Sequence, residues 1–272
     1  MRGVLILALV LLLPGMAADA ESSRLRALQT GDDGRGWNAV GRLNLGDSGF
    51  CTGTLIGQQL VLTAAHCLFD KTSRRQLDPT TIRFLAGWRN GRAEAYRGVR
   101  RAVVHPDYVF DTADRMERVA NDLALLELDQ PIRLPSIVPF ETDLRPVRGD
   151  EVGVVSYAQD RAEAPSLQEL CHVLARQPGV YVLSCNVDFG SSGAPVFSMR
   201  GDVPQVVSVV SAKAEVEGQK VALGVALERP LADLMAALER TAPVALKAGA
   251  GVRTLSGGAA SSGQGGAKFV QP

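Results

Sequence analysis

Three short segments of this 272-residue chain hold side chains able to do chemistry together. His66 ends the run Leu62-Thr63-Ala64-Ala65-His66-Cys67, beside a cysteine and behind an apolar strand. A histidine held rigidly there, with one imidazole face open, can serve as a general base. Asp122 opens Asp122-Leu123-Ala124-Leu125-Leu126, a carboxylate against a buried-type run. Burying an unpaired carboxylate is costly, so it requires a partner, and a histidine whose tautomer it fixes is a suitable one. Ser192 lies in Gly190-Ser191-Ser192-Gly193-Ala194-Pro195. Glycines flanking a serine pair permit a tight turn whose backbone N–H groups converge. A serine hydroxyl becomes a nucleophile only when a base takes its proton and donors face the oxyanion that forms. Singly, each has an ordinary explanation: a core histidine, a capping aspartate, a Gly/Ser loop.

The elements that must position these residues read as β-structure. Short β-type runs cover Thr54 to Ile56, Leu60 to Thr63, Ile82 to Leu85, Val99 to Val104, Leu123 to Leu128, Val152 to Tyr157, Val180 to Ser184, Val206 to Val210 and Val221 to Leu227. Gly, Asp and Pro separate them, without regular helices between, which favours an all-β barrel or sandwich. One helix is predicted from Pro230 to Arg240, because Leu231, Leu234, Met235 and Leu238 recur at helical spacing.

The ends differ from the middle. Arg2, a ten-residue apolar run from Val4 to Leu13 and the close Ala18-Asp19-Ala20 have the layout of a secretory signal peptide, expected to occupy 1–20. Ten residues rise about 15 Å as a helix, half of a bilayer's roughly 30 Å of hydrocarbon, so a membrane anchor is disfavoured. Residues 21–37 are polar and Gly-rich and read as a loosely held arm, followed by one domain over 38–242. The last segment, 243–272, contains a stretch in which fifteen of twenty residues are Gly, Ala or Ser, and is expected to be disordered.

Export places the chain in an oxidising compartment, secreted or periplasmic, where Cys51, Cys67, Cys171 and Cys185 are expected to form two disulfides. Four cysteines allow three pairings. The sequence-local one, Cys51 with Cys67 and Cys171 with Cys185, is the simplest. Twenty-nine basic and 29 acidic residues cancel, so nothing draws the chain to nucleic acid or an anionic membrane. No metal cluster, phosphate loop or cofactor motif is visible, so none is expected.

Together the three segments resemble the trypsin-like, chymotrypsin-fold serine proteases. That family carries T-A-A-H-C, D-[ILV]-A-[LV]-[LIV] and G-D-S-G-G-P blocks in this order. Thr63 to Cys67 and Asp122 to Leu126 match in full and Gly190 to Pro195 in part. The resemblance extends from about Asn38 to Arg240 and includes Cys51 to Ile56 and His105-Pro106-Asp107-Tyr108. It implies two packed six-stranded β-barrels with a C-terminal helix. His66 would be the general base, Asp122 its orienting carboxylate and Ser192 the nucleophile, with the N–H groups of Gly190 and Ser192 as oxyanion hole. It also implies the Cys51–Cys67 bridge, and leaves His105 structural and His172 without a role.

The chain departs from the pattern at Ser191, where digestive and clotting enzymes carry the aspartate that pairs with a new N-terminal amine. A neutral residue there is similar to the bacterial secreted, glutamyl-endopeptidase-like branch and implies an oxyanion hole formed without amine insertion. Six residues before Ser192 stands Asn186 rather than an aspartate, so a preference for Lys or Arg is unsupported. Ser211-Ala212-Lys213 replaces the usual S-W-G wall, and Asn186, Ser211 and Lys213 are the candidate pocket residues. A monomer acting on protein or peptide substrates is the expectation. The competing reading is a catalytically weak homologue acting as a binding or regulatory module. An α/β-hydrolase esterase is opposed by the chain order His, Asp, Ser.

Overall fold

The structure is a computed structural model describing residues 23–142, 145–201, 203–216 and 218–241. The predicted signal segment and the Gly/Ala/Ser-rich tail lie outside these residues.

Among the described residues, thirteen strands and two α-helices follow one another, with three short 3-10 turns between strands. Strand β1 is Arg26–Ala27, β2 Val40–Leu45, β3 Phe50–Gly57, β4 Leu60–Thr63, β5 Ile82–Ala86, β6 Ala95–Val104 and β7 Ala124–Leu128, with helix α1 at Arg115–Ala120 before β7. Then come β8 Glu151–Ala158, β9 Arg161–Gln177, β10 Val180–Leu183, β11 Pro195–Ser198, β12 Gln205–Val216, β13 Gln219–Ala226 and helix α2 Glu228–Arg240. The first barrel closes in the order β2-β3-β4-β7-β6-β5. In the second, β9-β10-β13-β12-β11-β8 closes because β8 also pairs β9. Both are antiparallel and six-stranded, as the resemblance implied, and closure removes the exposed edges that an open sheet would leave.

Each barrel has its own apolar interior. Leu43, Leu55, Leu62, Phe84 and Leu125 fill the first, and Val154, Val173, Leu183, Val196 and Val207 the second. Phe197 on β11 meets Phe140 at 4.6 Å and Trp37 at 5.0 Å, both edge-to-face, an arrangement aromatic rings favour. Trp37 and Phe140 belong to the segments before β2 and after β7, so this cluster ties both to the second barrel.

The arm ahead of β2 is not loose. Arg26 and Ala27 pair with Leu167 and Ser166 of β9, Leu28 is fully buried, and Ser23 N–H donates to Leu170 O at 2.8 Å. Polar composition concealed this, because a two-residue strand needs only backbone groups and one buried leucine. The closing helix starts two residues before the predicted Pro230, which sits in its first turn, where a missing N–H costs nothing. Both disulfides follow the sequence-local pairing, Cys51–Cys67 and Cys171–Cys185. No helix among the described residues is long and apolar enough to cross a membrane.

Candidate active site

Strands β4 and β7 are antiparallel neighbours with Thr63 opposite Ala124. The chain leaving β4 and the chain entering β7 therefore emerge side by side, which brings His66 and Asp122 together although 56 residues separate them. His66 sits in a single 3-10 turn, Ala65–Leu68, and the Cys51–Cys67 bridge clamps that turn to β3. Asp122 follows α1, whose N-cap Asp114 accepts from the N–H groups of Met116 and Glu117.

Three donors converge on the Asp122 carboxylate, which is only 2% exposed. Backbone N–H of His66 reaches Oδ1 at 2.8 Å, and His66 Nδ1 reaches Oδ2 at 2.6 Å. The Ser211 hydroxyl also donates to Oδ2. These bonds offset the desolvation of the buried carboxylate. They also fix the imidazole with Nδ1–H toward Asp122 and Nε2 toward the cleft, since Nδ1 faces an acceptor that has no proton to give. A quarter of the His66 side chain stays exposed, so Nε2 is reachable. Ser211, one of the expected pocket residues, borders the cavity at Ser192 and also gives its hydroxyl to the carboxylate. It is the extra residue where the β12–β13 register shifts between Val210 and Ala212, and such a bulge re-aims a side chain.

Ser192 comes from the second barrel, on the loop between β10 and β11. It borders the same two cavities as His66. The peptides of this loop are pinned one by one. Phe189 O accepts from Gln159 N–H at 2.8 Å, and Gly190 O accepts from the Thr52 hydroxyl at 2.9 Å. Ser191 O accepts from Ala194 N–H at 3.0 Å, and Ser192 O from Thr52 N–H at 2.8 Å. A trans peptide points its N–H opposite to its C=O. Holding the carbonyls of Phe189 and Ser191 therefore turns the N–H groups of Gly190 and Ser192 away from those partners. Neither N–H is taken up by another described residue.

Glycine is needed twice. Gly190 has φ +95°, and a Cβ there would lie 2.5 Å from the Phe50 ring. Gly193 has φ +76°, and its Cβ would lie 2.3 Å from Thr52 O. Ser191 is fully buried between them. Its hydroxyl reaches Ser156 Oγ at 3.2 Å and Tyr157 O at 3.3 Å, and it accepts from Asp188 N–H at 3.3 Å.

The remaining candidates separate. Asn186 borders a cavity behind the loop, away from Ser192, and donates its N–H to Gln168 Oε1 at 2.7 Å. Lys213 borders both that cavity and the one at Ser192. His105 is buried on the far side of Leu123, its Nδ1 accepting from Asp107 N–H at 3.2 Å, a structural role. His172 contributes its N–H to Ser184 Oγ and has no part in the cleft. Cys51, His66 and Cys67 place donor atoms close together, but the two sulfurs are bonded to each other and are not free to bind a metal. Thr52 and Gln168 went unnoticed in the sequence, since no spacing rule marks a buried threonine or glutamine whose partners are distant backbone groups.

A trypsin-like peptidase domain model matches residues 51–204, more than half of the chain. The chain belongs to the trypsin-like peptidase family. The chain is 35% identical to trypsin of Phaedon cochleariae over 105 residues, covering 38% of this chain and 36% of that protein. It is 34% identical to the complement C1r-B subcomponent of Mus musculus over 93 residues, 32% of this chain and 13% of that one. The chain spans well under two thirds of the length of these curated relatives. Among solved structures, a Glu endopeptidase in complex with MPD superposes with a TM-score of 0.63 at 17% identity, covering 75% of this chain and 91% of that one. At that identity the likeness concerns the fold.

Proposed function

We propose that this protein is a secreted serine endopeptidase that hydrolyses peptide bonds through an acyl-enzyme on Ser192. The observation that carries the reading is the Asp122 carboxylate, held by three donors so that it fixes His66 in the same cleft as Ser192.

In this reading His66 Nε2 takes the proton of Ser192 Oγ as that oxygen attacks the substrate carbonyl carbon. The carbonyl oxygen becomes an oxyanion facing the N–H groups of Gly190 and Ser192. Collapse expels the amine, which receives its proton from His66, and leaves an ester on Ser192. Water, deprotonated by the same imidazole, then releases the acid and restores the serine. Asp122 remains ionised throughout and stabilises the imidazolium.

The pinned carbonyls support a hole complete without an inserted N-terminal amine. The partners come from residues 52, 159 and 194, and neutral Ser191 is satisfied by Ser156, Tyr157 and Asp188. Secretion is supported by the two disulfides and the signal-like N-terminus. The protein is taken to act as a monomer on protein or peptide substrates.

Labelling with a fluorophosphonate probe tests the reading. Wild type is expected to label and Ser192→Ala to lose the label. A folded wild type that stays unlabelled would favour the binding-module alternative. Activity appearing only after a defined N-terminal cut would refute the pre-formed hole.

A further inference from the structure

The loop that carries Ser192 also carries Asp188 and Phe189, and both engage one residue of the facing wall. Lys213 of β12 donates to Asp188 Oδ1 at 2.8 Å. Its Nζ also lies 4.1 Å from the centroid of the Phe189 ring, a cation–π contact. Cavities lie on both sides of this bridge. The front one, about 290 Å³, is bordered by His66, Ser192, Val187, Val210 and Ala212 together with the bridge. The rear one, about 280 Å³, is bordered by Cys185, Asn186, Glu215, Lys220 and Val221. Val187, Asp188 and Lys213 border both, so the ion pair, with Val187 beside it, stands between them.

We infer that the Asp188–Lys213 bridge decides which side chain is accepted next to the scissile bond, by dividing the primary pocket and cancelling the lysine charge. The inference rests on the peptidase reading above. With the bridge in place, the pair adds no net charge to the compartment beside Ser192, whose Val187, Val210 and Ala212 suit a short uncharged side chain, while Lys71, which also borders it, is the same in every variant compared below. The lysine is occupied, so it does not select an acidic residue. In the rear compartment Glu215 and Lys220 stand opposite each other on β12 and β13, and their charges offset too.

The pair is suited to selection rather than to holding the fold. Its side chains are 51% and 56% exposed, and exposed ion pairs add little stability. The hydrogen bonds from Lys213 and from Phe189 N–H keep the Asp188 carboxyl below its ordinary range, so it is charged at neutral pH. Removing one partner therefore leaves the other as an uncompensated charge where two compartments now join. Without Lys213 the merged pocket ends on a carboxylate and suits Lys or Arg. Without Asp188 it presents a free ammonium and suits Glu or Asp. Without both it becomes a longer uncharged pocket suited to Phe.

The test uses the full-length protein and peptides that differ only in the residue before the scissile bond: Ala, Val, Phe, Glu or Lys. Wild type is expected to favour Ala and Val by kcat/KM. Lys213→Ala should raise the Lys-to-Ala ratio by about tenfold or more, and Asp188→Ala the Glu-to-Ala ratio similarly, the scale of one charged contact in a specificity pocket. The double variant should favour Phe. A scaffolding role cannot give opposite charge preferences to the two single variants. Fluorophosphonate labelling of every variant reports whether the site is intact, and if Asp188→Ala does not fold, Lys213→Ala alone decides. Labelled variants whose ranking of the five peptides matches wild type would overturn the partition and leave the peptidase reading standing. An unlabelled wild type would remove the peptidase reading itself.

Discussion

Thr52→Val tests whether the oxyanion hole is held by the first barrel. Thr52 is fully buried, and its hydroxyl donates to Gly190 O at 2.9 Å while accepting from Tyr157 N–H at 3.1 Å. Valine has nearly the same shape, so no cavity opens, but both backbone groups lose their partner in a dry site. Each orphaned group costs about 1–3 kcal/mol, so a total loss of about 2–4 kcal/mol is expected, a large share of a typical domain's stability. Thr52 N–H still holds Ser192 O at 2.8 Å, so the loop stays in place while the Gly190–Ser191 peptide loosens; that peptide gives the hole no donor itself but joins the two peptides that do.

That loosening has a kinetic signature. Losing a hole donor outright costs roughly a hundredfold or more in kcat, and a donor that is kept but badly aimed should cost less, about tenfold. The ground-state carbonyl depends little on the hole, so KM should move by less than about twofold. Urea unfolding gives the first quantity, and initial rates on a peptide ester, with the fluorophosphonate labelling rate, give the second. Destabilisation with an unchanged kcat would refute the claim that Thr52 aims the hole. Unchanged stability would refute the hydrogen bonds themselves.

Other consequences are more direct. Burial holds the pKa of His105 below the ordinary histidine value, so the unfolded chain binds the extra proton first. Stability should therefore fall as pH drops below about 6.5, and His105→Gln should flatten that part of a urea-midpoint-against-pH curve. Replacing Cys171 and Cys185 together by Ala opens a bridge spanning 14 residues, and should cost about 3 kcal/mol in chemical unfolding. Phe197→Ala removes a fully buried ring from the Trp37–Phe140–Phe197 cluster and should cost about 3–5 kcal/mol. Gly193→Ala meets both a positive φ and backbone 2.3 Å away, so soluble yield and labelling should both collapse.

The parts legible in the sequence were those whose signal is local. Leu60 to Thr63, a short apolar run, forms a buried strand with the bounds expected, and the runs near Ile82, Val152 and Val206 lie inside the strands found there. Strand β9, the longest, was missed because Arg161, Glu163, Glu169 and Arg176 interrupt its apolar residues and Pro165 stands within it. Its pairing is set by both neighbours, with register shifts against β8 and β10. Helix α1 was missed too. Six residues with one buried side chain carry almost no periodicity, and it is the Asp114 cap that defines its start. Strand β1 is marked by nothing except the partner it finds in space.

The site divides the same way. His66, Asp122 and Ser192 were readable because each lies in a local block tied to a strand end or tight turn. The supporting contacts were not readable, since they cross from one barrel to the other: Thr52 to Gly190 and Ser192, and Ser211 to Asp122. Ser211 illustrates the limit. Its place in the segment that replaces the usual S-W-G wall suggested a pocket residue, and only a register shift in β12 turns its hydroxyl to the carboxylate.

These crossings bear on what Ser191 means. An aspartate at that buried position would need a cation, which is why chains carrying one must supply an amine before the loop can settle. A serine there needs only neutral hydrogen-bond partners, and Ser156, Tyr157 and Asp188 provide them within the folded domain. The loop can then take up its final form as the barrels dock, when Thr52 and Gln159 meet the carbonyls on its far side. Under the proposed reading, assembly of the hole is coupled to the folding of the two barrels rather than to a later cut in the chain. The same substitution leaves Asp188 as the nearest carboxylate to the nucleophile on this loop, facing the solvent side and free to engage Lys213. In the proposed reading, one change of residue type thus separates two jobs: a neutral buried serine shapes the hole, and an exposed carboxylate shapes the pocket.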